Sequence, residues 1–396
     1  MYPASCGGSH VSGRTLHKIL FYNVGGQVSG EGPCGIYSNI IPHEAEYVAS
    51  QGKVFGFYQG TNLRPYAFTY DPVTGATTGP VSIGGSGLTG DSHGAPTFCI
   101  DASGYIHVFW GCHTSTIYYR TSTNPYDITT WNTQQSISGQ FTYPSIFYYD
   151  GYWYLFHRTQ GSYPLGWGWN RTANFTTWSG LTEVIKSSSS SDAYYATMGQ
   201  APNGNIAMMW CIWDGSIYKN LYYAYTSDMA TWRKADGTAY GTLPINNTTA
   251  ECVYTSDPNN LRTQTGDIQF DSNNRPHLLF NNNLNWTHAH FDGTEWTVTA
   301  ITTKSTINLH VSACLIVDSD TNLRAYLQFS PPGDSAATWS TTEEYRSTDT
   351  GATWAFYQTL QGMTYRGLLN HIKNGTDGYR ILAASSETDP HDIWIY

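Results

Sequence analysis

A tryptophan closes the same short pattern five times along this chain, and that recurrence restricts the fold more than any other feature. An aromatic-rich strand leads into a Ser/Thr/Asn/Asp turn and then into Trp131, Trp178, Trp232, Trp296 or Trp354, at steps of 47, 54, 64 and 58 residues. The fullest copy is Ser347-Thr348-Asp349-Thr350-Gly351-Ala352-Thr353-Trp354; the faintest runs from Phe291 to Trp296. Its physical reading is structural, with the Asp accepting turn hydrogen bonds and the Trp packing beneath them. Ahead of each Trp lies a hairpin signal: Asp101-Ala102-Ser103-Gly104-Tyr105, Asp271-Ser272-Asn273-Asn274-Arg275 and Asp318-Ser319-Asp320-Thr321-Asn322 each precede an alternating strand. Strand-and-turn units of this length are what four-stranded propeller blades produce. Units near 43–75, 90–132, 142–178, 192–234, 265–297, 310–355 and 366–396 make seven, at about 57 residues each. The expectation is therefore an all-β, seven-bladed β-propeller occupying 1–396 as one domain. The last unit is one strand short, and Lys18 to Asn23, within a 1–42 N-terminal extension, is expected to close the ring against it. The serine run Ser187 to Ser191 reads as a loop between blades, because the repeat continues on both sides.

Composition agrees. Charged residues make up 12% of the 396, about half the usual share, and aromatics 15%, with 31 Tyr and 39 Gly. That excludes a disordered chain and a long helical bundle. The net charge is −10, and no basic run exceeds Arg233-Lys234, so nucleic acid is not an expected partner. No segment reaches the roughly 18 apolar residues of a membrane span, and the N-terminus lacks a signal-peptide pattern. The expectation is a monomer working outside its cell, without a membrane partner, its leader removed or its release by another route such as phage lysis. The seven cysteines are scattered without a Cys-x-x-Cys pair and read as small buried residues, with a Cys6–Cys34 disulfide as the one candidate bridge.

Two histidines sit in unusual settings. His93 lies in the glycine-bounded loop Gly90-Asp91-Ser92-His93-Gly94, just before a strand, and His113 follows the next strand of the same hairpin. The chain returns between them, so both rings reach one end of one blade, where inner strand ends converge on a groove. In the following blade Tyr143 takes the place of His93 and Arg158 that of His113. An arginine directly after Tyr154-Leu155-Phe156-His157 is more than background in a chain with 12 Arg, though a salt bridge to a neighbouring blade is its ordinary alternative. His277, His288 and His290 invite a metal reading, since His288 and His290 share a strand face. Without a clear Cys or carboxylate partner they are read as ordinary polar positions. No metal is assigned and no cofactor is required for the chemistry; a structural ion is left open.

The run from Asp91 to His113, then Tyr119-Arg120-Thr121-Ser122, Tyr143-Pro144 and Phe156-His157-Arg158, resembles the neuraminidase-repeat family that includes the seven-bladed ulvan lyases. Leu63-Arg64-Pro65-Tyr66 with Tyr70-Asp71 resembles its preceding blade, and the Ser347-to-Trp354 motif is similar to the Asp-box of bacterial neuraminidase repeats. The resemblance implies a polysaccharide lyase that cleaves an acidic, uronate-containing polymer by β-elimination. It implies active-site histidines at His93 and His113, a catalytic tyrosine at Tyr143 and a carboxylate-neutralising Arg158. A further tyrosine falls on Tyr194 or Tyr195, and these two, with Arg64 and Trp110, are the candidate substrate-binding residues; Trp167 and Trp169 are weaker candidates for stacking on sugars. The chemistry is self-consistent: an Arg on the uronate carboxylate makes the C5 proton removable, a base takes it, and an acid protonates the departing O4. Which of His93, His113 and Tyr143 is base and which acid is open. Two rival readings remain. A sialidase-like glycoside hydrolase would need an arginine cluster, for which Arg64, Arg158 and Arg346 are the nominees, and a Tyr/Glu pair. A non-catalytic carbohydrate-binding or phage tail propeller would yield no product.

Overall fold

The computed structural model describes residues 17–20 and 40–395, apart from 61–62, 87–91, 160–161, 258–261, 283–284, 303, 305–311, 330–340, 361–366, 377 and 386–391. Among these residues the chain is all-β, its strands forming five hydrogen-bonded sheets. The pairings resolve the sheets into seven consecutive sets of four strands, the fourth with an extra strand, Glu251–Tyr254, paired to Tyr218–Thr226. The largest sheet holds the first set (45–82) and the last (367–395), joined by the parallel pairing of Ala45–Val48 with Gly367–Lys373. The second and third sets share one sheet, and sets four, five and six (193–254, 264–300, 313–360) follow as separate sheets. His17–Leu20 pairs antiparallel with Asp392–Ile395, Lys18 opposite Trp394, and so supplies the missing strand of the last set. Phe21 to Asn23 and the cysteines Cys6 and Cys34 lie outside the described residues. Cys99, Cys112, Cys211 and Cys314 are buried, and Cys252 is exposed. Among the described residues no helix is long and apolar enough to cross a membrane.

Burial falls from the inside of each set outward. Second strands such as Ile106–Trp110 and Ile206–Trp213 are buried on both faces, because neighbouring sets pack against each side. Fourth strands such as Thr77–Ser82 and Trp296–Ala300 are mostly exposed and carry threonines, which blunt the sheet edge. The core lies between sets. Phe55 and Phe57 of the first meet Phe98, Val108 and Trp110 of the second; Met209 and Tyr223 of the fourth meet Ile268 and Leu278 of the fifth.

One difference from the expected layout matters for the site. The second and third sets do not meet at a turn but share one 15-residue strand, Gln135–Tyr149. Its first half is the outer strand against His113–Thr121, and its second half is the inner strand against Tyr152–Thr159.

The Trp-marked turns are structural, as their chemistry requires. Ser347 Oγ accepts from Gly351 N at 2.9 Å, Asp349 Oδ1 accepts from Thr353 N at 2.9 Å, and Trp354 Nε1 donates to the Gly351 carbonyl at 3.1 Å. Thr226-Asp228-Met229 and Thr172-Asn174-Phe175 repeat the device with a threonine hydroxyl in place of the serine. Hydrogen bonds from threonine hydroxyls and then backbone amides hold Asp127, Asp292 and Asp349 at about 2, below their usual 3.8. The folded state therefore favours the charged carboxylate, so the contribution is complete above about pH 4 and is lost as pH falls toward 2. The thermal midpoint is expected to drop across that window, and less steeply in an Asp127→Asn/Asp349→Asn double variant. Equal slopes in the two proteins would show that these turns do not govern acid stability.

Candidate active site

Thr142 is the pivot on which the candidate residues assemble. It sits midway along the shared strand, with His113 as its Cα partner on one side and Arg158 on the other. Two inter-strand spacings, about 9–10 Å, thus separate the His113 and Arg158 backbones. The register shifts at both neighbours, between His113 and Ser115 and between Phe156 and Arg158, and such bulges re-aim side chains. Thr142 Oγ1 accepts from Thr114 N at 2.9 Å and from Arg158 Nη2 at 3.5 Å. Thr114 and Tyr143 both occupy the left-handed region, at φ of 55° and 60°. For a side chain as bulky as tyrosine that conformation costs on the order of 1–3 kcal/mol and is typical of functional sites. The loop ahead of His113 is tied down by Ser115, whose Oγ donates to the Gly111 carbonyl and accepts from His113 N. His93 comes from the Ser92–Gly94 turn just before Thr97–Ile100, a segment anchored by a bond from Thr97 Oγ1 to the Pro42 carbonyl.

These placements bring all four candidate catalytic residues together. The His93 and His113 rings stack with centroids 3.8 Å apart, and Tyr143 lies 5.2 Å from His93. The Arg158 guanidinium carbon is 5.0 Å from the Tyr143 ring centre and 5.1 Å from that of Tyr195. His113 is exposed, His93 partly so, and Arg158 is 5% exposed. The salt bridge that would be the ordinary explanation of Arg158 is absent: among the described residues no carboxylate pairs with it, and its Nε has no hydrogen-bond partner. A buried cation without a counter-ion is costly unless something anionic arrives to meet it. Cys112, beside His113, is fully buried, and burial pushes its thiol up although Arg158 acts the other way, so it offers no thiolate.

The structure separates the two tyrosines that the sequence left unresolved. Tyr195 faces Arg158, whereas Tyr194 is fully buried, its hydroxyl accepting from Asn247 N at 2.8 Å. Tyr194 is therefore a core residue rather than a substrate contact. Trp110 is also corrected: it is fully buried between the first two sets and donates to the Ser86 carbonyl, so it cannot stack on a sugar. Trp167 and Trp169 belong to the core as well. Trp110→Ala is expected to cost about 3–5 kcal/mol of stability with little change in KM for a polymer. A weakened KM at an unchanged thermal midpoint would put the ring back at the surface. Arg64 is exposed on the turn before Pro65–Tyr70, and no described contact ties it to the histidine pair. Arg346 is bound to Glu344 at 2.7 Å on a different sheet, so the three nominated arginines do not form the cluster a sialidase-like site needs.

A cavity of about 810 Å³ lies elsewhere, lined by residues such as Tyr148, Asp150, Gln200, Gln269, His371 and Arg380. The shared strand reaches it at Tyr148–Asp150, roughly 20 Å along from Tyr143 at the rise of an extended chain. Three of its lining ionisable groups carry partners of opposite charge: His371 pairs with Asp267, Lys373 with Glu46 and Arg380 with Asp318. Arg158, by contrast, has no carboxylate partner among the described residues.

Residues 47–304 match the model of the BNR repeat-containing family. Over 311 residues the chain is 25% identical to an ulvan lyase of the PL25 group from Pseudoalteromonas sp. (strain PLSV), covering 65% of this chain and 63% of that protein. The same identity and length relate it to an ulvan lyase of Alteromonas sp. (strain LOR), covering 64% of that protein. The match thus spans a little under two thirds of these curated relatives' length. A solved PL25 ulvan lyase superposes with a TM-score of 0.78 at 19% identity, over 96% of this chain and 95% of the other, which shows a shared fold. The same fold has been solved bound to -[GlcA(1-4)Rha3S]-.

Proposed function

The chain belongs to the BNR repeat-containing family, and within it we propose that the protein is a polysaccharide lyase cleaving an acidic, uronate-containing polymer by β-elimination. The observation that carries the reading is Arg158: a buried guanidinium without a carboxylate partner, beside two stacked imidazoles and a strained tyrosine. A uronate carboxylate is the anion this reaction requires there. Charge pairing with Arg158 lets negative charge build on the carboxylate as the C5 proton leaves. His93, His113 and Tyr143 supply the base that takes this proton and the acid that delivers one to O4. The C5–H electrons form the C4=C5 double bond, the C4–O4 bond breaks, and the products are an unsaturated uronyl end and a new chain end, with no water consumed. Tyr195 flanks the carboxylate as a substrate contact, and no step is assigned to a cofactor. Ulvan or a related uronate polymer is the substrate favoured by the relatives' activity. In the same reading the seven strand sets are blades of one closed propeller, a single domain that acts as an extracellular monomer.

The test is incubation with ulvan, other uronate polymers and capsular polysaccharides while following ultraviolet absorbance of the unsaturated uronyl group. A rise with at least one uronate polymer is expected. New reducing ends without that absorbance would indicate a hydrolase, and binding without either would indicate a carbohydrate-binding module.

A further inference from the structure

We propose that Asp271, His277 and His290 form a zinc site at the contact between the fifth and sixth strand sets, distinct from the Arg158 centre and independent of the lyase reading. Their ligand atoms lie within 4.8 Å of one another, and all three residues are buried. His277 and His290 are Cα partners on adjacent strands, Pro276–Asn281 and Trp286–Phe291, with ring centroids 4.3 Å apart. Asp271 reaches them from the turn that opens this hairpin, fixed by its own Oδ1, which accepts from Asn273 N at 2.9 Å and Arg275 N at 2.8 Å.

Hydrogen bonding decides which atoms remain bare. His277 Nδ1 lies 3.0 Å from His288 Nε2, so one proton is shared between them. His277 Nε2 is buried and without a partner. In the metal-bound form His277 Nδ1 is the donor to His288 and Nε2 presents its lone pair to the ion. His290 Nε2 is likewise buried without a partner, and the second oxygen of Asp271 takes no described bond. Two unpaired nitrogens and a carboxylate oxygen therefore converge in a place shielded from water. Such an arrangement is unfavourable empty and favourable around a cation. Two imidazoles and one carboxylate, with no thiolate, suit zinc, which takes three protein ligands and a water in tetrahedral geometry. A ligating histidine whose other nitrogen is oriented by a second residue is the usual supporting arrangement, here supplied by His288. The ion would tie the turn at Asp271 to both strands of the hairpin, and through His288 to the turn that ends at Trp354, whose ring lies edge-on to His288 at 5.4 Å.

The experiment uses the full chain, freed of metal with a chelator, reloaded with zinc alone, desalted and assayed for bound metal. About one zinc ion per chain is expected, with a raised thermal midpoint and, on substitution by cobalt, visible absorption bands of tetrahedral strength. His290→Gln and Asp271→Asn should each abolish stable zinc retention. Asp271→Asn keeps the Oδ1 acceptor that holds the turn, so it separates metal loss from misfolding. Absence of zinc uptake by the unmutated chain overturns the proposal whatever the variants do, as does full zinc retention by a folded Asp271→Asn or His290→Gln protein. Neither readout involves polysaccharide cleavage, so failure here leaves the proposed function untouched, and the reverse also holds.

Discussion

Arg158→Met is expected to lower kcat/KM on a uronate polymer by on the order of 10³-fold while leaving the protein as stable as before or more so. The two halves of this result have one cause. Moving a guanidinium out of water costs several kcal/mol, and in the free protein Arg158 recovers only part of that. It has contacts to the rings of Tyr143 and Tyr195, each worth about 0.5–2 kcal/mol, and a long hydrogen bond of 3.5 Å to Thr142. A thioether of similar reach fills the space without the desolvation penalty, so stability should rise by roughly 1–3 kcal/mol. The same cation is what allows charge to accumulate on the substrate carboxylate, and its loss falls on the transition state. Arg158→Lys should retain part of the activity, since the charge persists but the planar fork that matches a carboxylate does not. Steady-state kinetics and thermal unfolding of the two variants decide the matter. A Met variant that is less stable and still active would mean that Arg158 serves packing, and the Proposed function would lose its main support.

How much of this was legible in the sequence depends on the scale. The strand sets follow the tryptophan steps closely, because the turns that lead to these tryptophans are held by hydrogen bonds among residues a few positions apart, as at Trp131 and Trp354, which donate to carbonyls three positions upstream. The pairing of an N-terminal strand with the last set was legible because that set lacked a partner for Asp392–Ile395. What depends on register was not. Tyr194 and Tyr195 are adjacent, and a strand sends adjacent side chains to opposite faces, so one packs into the core and the other faces Arg158; only the pairing with Ile206–Trp213 sets which. Trp110 looked available for a sugar because its strand ends near His113, yet that strand is buried from end to end. Thr142 escaped notice because its role lies in being the partner of two strands at once. Asp271 was read as a turn residue only, which it also is, and the missing carboxylate for the histidines was six positions upstream of His277 in that same turn.

Tyr143→Phe should reduce kcat by about 10²–10⁴-fold with KM and the thermal midpoint almost unchanged. The substitution removes one oxygen and keeps everything else the ring does. Tyr143 is 3% exposed, stacks on Trp167 at 6.1 Å and 6°, and covers one side of Arg158, all of which a phenyl ring preserves. The left-handed backbone at this position is no harder for Phe than for Tyr, so its strain energy cancels between the two proteins. The loss therefore reports the hydroxyl alone, as proton donor, proton acceptor or both. His93→Ala is the companion variant: its ring lies against both His113 and Tyr143, and removing it should also depress kcat. The pH dependence distinguishes the roles, because deleting the general base removes the acid limb of the kcat profile and deleting the general acid removes the alkaline limb. Near-normal turnover by the Phe variant would move the proton transfers to the histidine pair and leave Tyr143 as a wall of the Arg158 pocket.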